Sequence, residues 1–190
     1  MRKLKLIIHT SLDGFVAGEN GEFDDLVQSP ENLDFVCSLT EDADAVLAGR
    51  ISFQMLDSYW PTAHLNPEAS ISEIKYSNWY NRAEKIVLSK SFPQKKDDDV
   101  TILSENIKDG LTRIKQKKGK DILMFGSPST YQALTKFNLI DEYWIIMYPV
   151  LLGKGISLFN HLDGIQKMKC LSSKQLSKGE VAIHYEVQNN

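Results

Sequence analysis

Asp121-Ile122-Leu123-Met124-Phe125-Gly126-Ser127-Pro128-Ser129-Thr130-Tyr131-Gln132-Ala133-Leu134 is the stretch whose reading decides the fold. Ile122 to Phe125 is a short unbroken apolar run, which a strand needs when both of its faces are covered. Gly126 removes the side chain where the backbone must turn. Ser127 stands where a helix cap belongs, and Pro128 suits the first helical position because its missing N–H would have no partner there anyway. A helix opening in this way presents unpaired N–H groups and a partial positive charge. With the hydroxyls of Ser127, Ser129 and Thr130 crowding that end, the turn is suited to a phosphate. An ordinary capped turn that binds nothing fits the same residues, and this stretch alone leaves both readings open.

The pattern recurs on either side. Ala45 to Ala48 is a second short apolar strand ended by a glycine, Gly49, after which Phe53 and Leu56 recur at helical spacing. Arg50, Ser52 and Phe53 follow that glycine, offering a guanidinium and a hydroxyl beside backbone donors, although an arginine taken alone is more often a surface ion pair. Lys85 to Ser89 reads as a third strand, and Leu88-Ser89-Lys90 ends it with another hydroxyl and a cation. If these strands are parallel, their ends share the edge of the sheet at which open α/β proteins bind ligands.

The remaining segments fit the same plan. Leu4 to Thr10 is a strand closed by the Ser11-Leu12-Asp13-Gly14 turn, and Phe15 to Ala17 continues extended to a turn at Asn20-Gly21. Leu33, Val36 and Cys37 place a first helix between Pro30 and Leu39. Tyr59 to Pro67, with two prolines and His64, reads as loop, followed by a helix over roughly Glu68 to Asn81. Pro93 and Lys95 to Asp99 read as a solvated turn, Val100 to Leu103 as a strand, and Ile107, Leu111 and Ile114 as the stripe of a helix that stops by Gly119. Asp141 to Leu152 is a long strand pattern interrupted by Pro149, and Met168 to Leu176 with Val181 to Val187 make an antiparallel hairpin. The class is therefore α/β: one domain over residues 1–190, with a mostly parallel central sheet flanked by helices and an antiparallel C-terminal hairpin.

Composition narrows the function. In 190 residues, 42% are hydrophobic and 25% charged, with a net charge of -3 from interspersed signs, which argues against a nucleic-acid partner. The one basic cluster, Lys115, Lys117, Lys118 and Lys120, reads as solvated surface at a helix end. No apolar run is long enough to span a bilayer, and the first residues pass straight into a strand pattern rather than a signal peptide, so a cytoplasmic address is expected. The two cysteines, Cys37 and Cys170, are too far apart for zinc spacing, and none of the four histidines pairs at metal-ligand spacing, so no metal is expected. Walker and Gly-x-Ser-x-Gly motifs are absent, and Gly153-Lys154-Gly155 lacks the helix a dinucleotide fingerprint needs. Trp60 and Trp79 suit stacking on a flat ring but more often fill a core. Asp34 is the candidate acid on the first helix, where carboxylates are usually solvated.

These segments carry a resemblance. Ser11-Leu12-Asp13-Gly14-Phe15, Leu47-Ala48-Gly49-Arg50-Ile51-Ser52-Phe53, Val87-Leu88-Ser89-Lys90, Phe125-Gly126-Ser127, Leu139-Ile140-Asp141-Glu142, Pro149-Val150-Leu151-Leu152-Gly153-Lys154-Gly155 and Leu158-Phe159, in this order, resemble the dihydrofolate-reductase-like family. The spacing is closest to the branch named for the C-terminal reductase domain of bacterial riboflavin biosynthesis. The resemblance implies an NADPH-dependent reductase that delivers a hydride to a pterin-, folate- or riboflavin-precursor-like heterocycle. It assigns the cofactor phosphates to Gly49, Arg50, Ser52, Leu88, Ser89, Lys90, Gly126 and Ser127, and the nicotinamide to the neighbourhood of Val16 and Ala17. Lys90 stands where the family has arginine, keeping the charge and losing the fork. Ser127 replaces the second of a glycine pair. Asp34 falls near a carboxylate that orients the substrate in the dihydrofolate reductases. A nucleotide-binding or ligand-sensing module without turnover, and an unrelated flavin-binding α/β protein, stay open as alternatives. The tail hairpin and the strand at Tyr143 are the expected edge for a homodimer.

Overall fold

Along Leu4–Ser11 (β1), Leu4, Leu6 and Ile8 fall in one buried cluster and Ile7 in another, so this strand is covered on both faces. The computed structural model describes residues 1–22, 26, 30–93, 99–160, 162 and 164–188. After β1 come β2 (Phe15–Ala17), α1 (Pro30–Thr40), β3 (Ala43–Gly49), α2 (Arg50–Ala63), α3 (Ile71–Arg82), β4 (Glu84–Leu88) and β5 (Val100–Leu103). They are followed by α4 (Ile107–Gln116), β6 (Asp121–Phe125), α5 (Pro128–Thr135), β7 (Glu142–Tyr148), β8 (Ile156–Ser157), β9 (Met168–Gln175) and β10 (Val181–Val187).

Eight strands form one sheet in the order β5-β4-β3-β6-β1-β7-β10-β9. Every ladder from β5 to β7 is parallel, and β10 pairs antiparallel with both β7 and β9. The expected α/β domain with its antiparallel hairpin is therefore present. Leu111 and Ile114 of α4 and Tyr131 and Leu134 of α5 cover one face; Phe35, Val36 and Cys37 of α1 and Tyr76, Trp79 and Tyr80 of α3 cover the other.

Several expectations need correcting. α2 runs to Ala63 and includes Pro61, where a loop was expected. Pro61 lacks one N–H and so removes one hydrogen bond, and it stands in the last turn, two residues before the helix ends. α3 also caps the terminal carbonyls, Ser77 Oγ donating to Trp60 O (2.6 Å) and Asn81 Nδ2 to Pro61 O (3.0 Å). α3 starts later than expected, at Ile71, because Ser70 and Glu73 form a capping box. β7 stops before Pro149 and lies between β1 and β10, so the strand at Tyr143 offers no edge; β5 and β9 are the outer strands. β8 went unforeseen because two residues carry no period; it pairs with β2. Lys115 is buried rather than solvated, with its ammonium 2.6 Å from Asp141 and 3.1 Å from Leu139 O. The turn expected around Lys95 to Asp99 lies almost wholly outside the described residues.

The amino edge of the sheet is stitched by ion pairs. Arg2 reaches Asp44 at 2.5 Å and Glu84 at 3.1 Å, and Lys5 reaches Asp121 at 2.8 Å. The buried Glu142 carboxylate is met by Lys3 (2.5 Å), Lys5 (3.5 Å) and His184 (2.9 Å). Burial alone would raise the Glu142 carboxyl, but hydrogen bonds from Lys3 and His184 and the nearby lysine charges outweigh it and hold it below its ordinary value. A carboxyl depressed in the folded state adds stability that is present above its unfolded value and lost as pH falls through the folded one. Glu142→Gln should cost roughly 1–3 kcal/mol at neutral pH in urea denaturation and flatten the loss of stability below the ordinary carboxyl value of 4.5.

Candidate active site

Gly49 closes β3 and Leu88 closes β4, and the two are cross-strand partners; on the other side Leu47 of β3 pairs with Met124 of β6. The chain turns into a helix directly after β3 and within three residues after β6. Neighbouring parallel strands thus bring the three glycine and hydroxyl corners together. They line a cleft of about 600 Å³ with Gly49, Arg50, Ser52, Leu88, Ser89, Lys90, Ser127, Ser129 and Thr130 in its wall. Ser104 and Ile107, from the turn between β5 and α4, complete it.

Three helices, α2, α4 and α5, begin at this cleft, and none has a side-chain cap: Gly49, Asn106 and Ser127 make no capping hydrogen bond. The expected Ser127 cap is thus absent. Its hydroxyl lies 2.9 Å from Ser129 Oγ and 3.3 Å from Thr130 Oγ1, leaving the first N–H groups of α5 without a side-chain acceptor. α3, which begins elsewhere, has a complete capping box. Arg50 and Lys90 supply positive charge, and no described lining residue is a carboxylate. Uncapped helix N-termini, hydroxyls and cations without a competing carboxylate form a site for a polyanion.

Gly49 is fixed by contact rather than by backbone angle. A β-carbon there would lie 2.4 Å from Thr130 Oγ1 and 3.3 Å from Ser127 Oγ, so the end of β3 meets the first turn of α5 with no room for a side chain. Gly126 has φ +51°, a conformation that favours glycine, and Ser52 Oγ is 3.6 Å from its β-carbon position.

Other expected residues lie elsewhere. Phe53 points inward among Ala48 and Val87, edge-on to Phe92 at 5.5 Å, because its place on α2 faces the sheet. Val16 and Ala17 belong to β2, held by β8. Nearby, Asp13 accepts from Ser11 Oγ (2.6 Å), Leu152 N (3.1 Å) and Gly153 N (2.7 Å), tying the first turn to the loop after β7. Asp34 does not join the cleft. Its carboxylate accepts from Ser72 Oγ and lines a larger groove of about 1010 Å³ between α1 and α3, which has both acidic and basic side chains in its wall. Trp79 is core, donating to Ala43 O at 2.8 Å, and Trp60 packs on Tyr76 at 4.2 Å. Among the described residues no group of three or more His, Cys, Asp or Glu is placed to hold a metal, and no helix is long and apolar enough to cross a membrane.

Residues 2–182 match the RibD C-terminal domain. The chain belongs to the RibD C-terminal domain family. Among its relatives is Uncharacterized protein YyaP of Bacillus subtilis (strain 168), 29% identical over 184 residues, spanning 97% of this chain and 94% of that one. A solved structure from Shewanella sp. PV-4, named for riboflavin biosynthesis, is 26% identical and covers 98% of this chain and 99% of its own, with a TM-score of 0.74. The diaminohydroxyphosphoribosylaminopyrimidine deaminase/5-amino-6-(5-phosphoribosylamino)uracil reductase of Thermotoga maritima shares the fold: TM-score 0.67, 14% identity, 98% of this chain and 57% of that one. The expected dihydrofolate-reductase-like architecture is thus the architecture of this family.

In this chain Gly49 and Thr130 stand side by side in the wall of the cleft. Gly49→Ala should destabilise by roughly 1–3 kcal/mol through overpacking. Adding Thr130→Ala should recover most of that loss, measured by urea denaturation of the single and double variants.

Proposed function

We propose that the chain is an NADPH-dependent reductase of a small nitrogen heterocycle, with the cofactor phosphates in the cleft between β3, β4 and β6. One observation carries this reading: three uncapped helix N-termini, Arg50 and Lys90 face a single cleft that has no carboxylate among its described lining residues. That donor set fits a dinucleotide. The N–H groups opening α2 and α5, with Ser52, Ser127, Ser129 and Thr130, would hold the pyrophosphate, and the Gly49 corner lets the backbone approach it. Lys90 and Ser89 at the end of β4 suit the 2′-phosphate. Lysine there is a point charge without arginine's bidentate fork.

A bound nicotinamide supplies a hydride for a C=N or C=O bond. The chain's part is to bind, orient and exclude water. Val16 and Ala17, held by β8, would wall the ring on one side, with Asp13 fastening the adjoining turns. The family, and the 5-amino-6-(5-phosphoribosylamino)uracil reductase that shares its fold, support this substrate class. A homodimer using the β9 edge and a cytoplasmic address belong to the same reading.

The position of Asp34, outside the cleft, favours a second reading: a module that binds the nucleotide without turning it over. Titrating NADPH against protein fluorescence and then assaying NADPH oxidation with pterin, folate and aminopyrimidine compounds separates the two. Binding with oxidation is the expected result, binding alone supports the module, and no binding overturns both. Lys90→Ala should weaken NADPH about tenfold and NADH hardly at all, the loss of one charge-assisted contact. Equal effects on the two nucleotides would place the 2′-phosphate elsewhere.

A further inference from the structure

The groove that holds Asp34 shares no lining residue with the cleft. α1 ends just before β3 and α3 just before β4, and β3 and β4 are parallel neighbours, so the two helices run side by side in the same direction. Cys37 Sγ donates to Ser72 O at 3.2 Å, and further along Trp79 Nε1 donates to Ala43 O at 2.8 Å. α3 lines the groove with Ile71, Lys75, Asn78 and Arg82, which recur every three or four positions and form one stripe about 16 Å long. Asp34, Ser38 and Glu41 line the facing wall.

Charge is sorted between the two walls. Lys75 and Arg82 stand seven residues apart on one, and Asp34 and Glu41 stand seven residues apart on the other. All four are exposed, and among the described residues none has an ion-pair partner. The other two charges in the wall are engaged: Asp44 pairs with Arg2 at 2.5 Å, and Lys120 Nζ donates to Glu41 O. Between the rows, Cys37, Ala43, Trp79 and Ala83 are buried and make a small or apolar floor. Two rows of opposite sign, each with a seven-residue repeat, flanking an apolar seam are the complement of a helix. In an amphipathic helix the e and g positions flank the a/d seam and repeat at the same interval. A helix in this groove with bases on one flank and acids on the other meets an opposite charge at both levels of both walls. A uniformly charged partner meets one repelling wall, and a small zwitterion spans only one level.

We propose that the groove between α1 and α3 is a docking site for an amphipathic helix of a partner protein whose two flanks carry opposite charge. The mode is a helix laid into a groove, with the seam on the floor and the flanks against the two charged rows. The proposal does not depend on the reductase reading.

The test is fluorescence anisotropy of the full chain with labelled synthetic helices of about three heptads, a length that favours helix formation, with leucine and alanine at the seam. The mixed peptide has lysine on one flank and glutamate on the other; the two controls have lysine on both flanks or glutamate on both. The mixed peptide should bind saturably and at least about fivefold more tightly than either control, the worth of several exposed charge pairs. Lys75→Glu with Arg82→Glu should move the preference to the all-lysine peptide, and Asp34→Lys with Glu41→Lys to the all-glutamate peptide. Each pair carries the test if the other fails to fold by circular dichroism. Lys108→Glu with Lys167→Glu, which changes the net charge at exposed positions outside the groove, should leave the preference with the mixed peptide. No saturable binding, equal binding of the three peptides, an unchanged preference in either groove variant, or the same switch in the Lys108 and Lys167 variant overturns the proposal.

Discussion

Where β3 ends, its backbone comes so close to the first turn of α5 that a β-carbon on Gly49 would lie 2.4 Å from Thr130 Oγ1. The approach is a property of two helices that follow adjacent parallel strands. α2 starts directly from β3, α5 starts three residues after β6, and strands spaced about 4.8 Å apart force the two helix starts against each other. Each helix opens on backbone N–H groups that its own side chains leave uncapped. The same contact that crowds the backbone therefore gathers the donors, and β4 adds Ser89 and Lys90 from the next strand over. A side chain at position 49 would have to push the two donor sets apart.

The two ends of the sheet treat charge in opposite ways. At the amino edge, Asp44, Glu84, Asp121 and Glu142 each meet a cation, and even the buried Arg2 and Glu142 are compensated. Buried charges survive only when paired in this way. At the carboxyl edge, Arg50 bonds only the neutral Gln54 at 3.3 Å among the described residues, and Lys90 is exposed beside hydroxyls. Helix N-termini add their partial positive charge to the same side. An anion therefore gains by entering the cleft, whose described lining carries cations and no carboxylate.

Most of the sheet was legible in the sequence because buried parallel strands are short apolar runs and glycines mark their ends. Val46–Leu47–Ala48–Gly49 and Leu123–Met124–Phe125–Gly126 needed nothing beyond local chemistry. What failed depended on partners distant in the chain. Pro61 reads as a helix breaker until Ser77 and Asn81 of α3 are seen accepting the role of cap. Lys115 reads as surface until Asp141 is brought beneath it. Asp34 stands out in the sequence for its charge. In the folded α1 Asn32 is the polar side chain buried in the first turn; it has no charge to draw attention, and its partner Tyr148 lies far along the chain.

β1 occupies the centre of this arrangement. On one side it pairs with β6, whose end opens into the cation cleft; on the other it pairs with β7, whose last residue holds Asn32. The carboxyl end of β1 therefore lies between the cation cleft and the Asn32–Tyr148 pair. The chain does not leave that end open. It folds β2 back there, pairs it with β8, and ties the turn between β1 and β2 to Leu152 and Gly153 through Asp13. A hydrogen bond from Ser11 first, then those backbone N–H groups, hold the Asp13 carboxyl below its ordinary value, so it stays an acceptor for both loops. The residues that cover this end of the sheet are not those that line the cleft. They belong to a small two-stranded clasp tied down by the Asp13 carboxylate and by the hydrogen bond from Leu12 N to Val150 O.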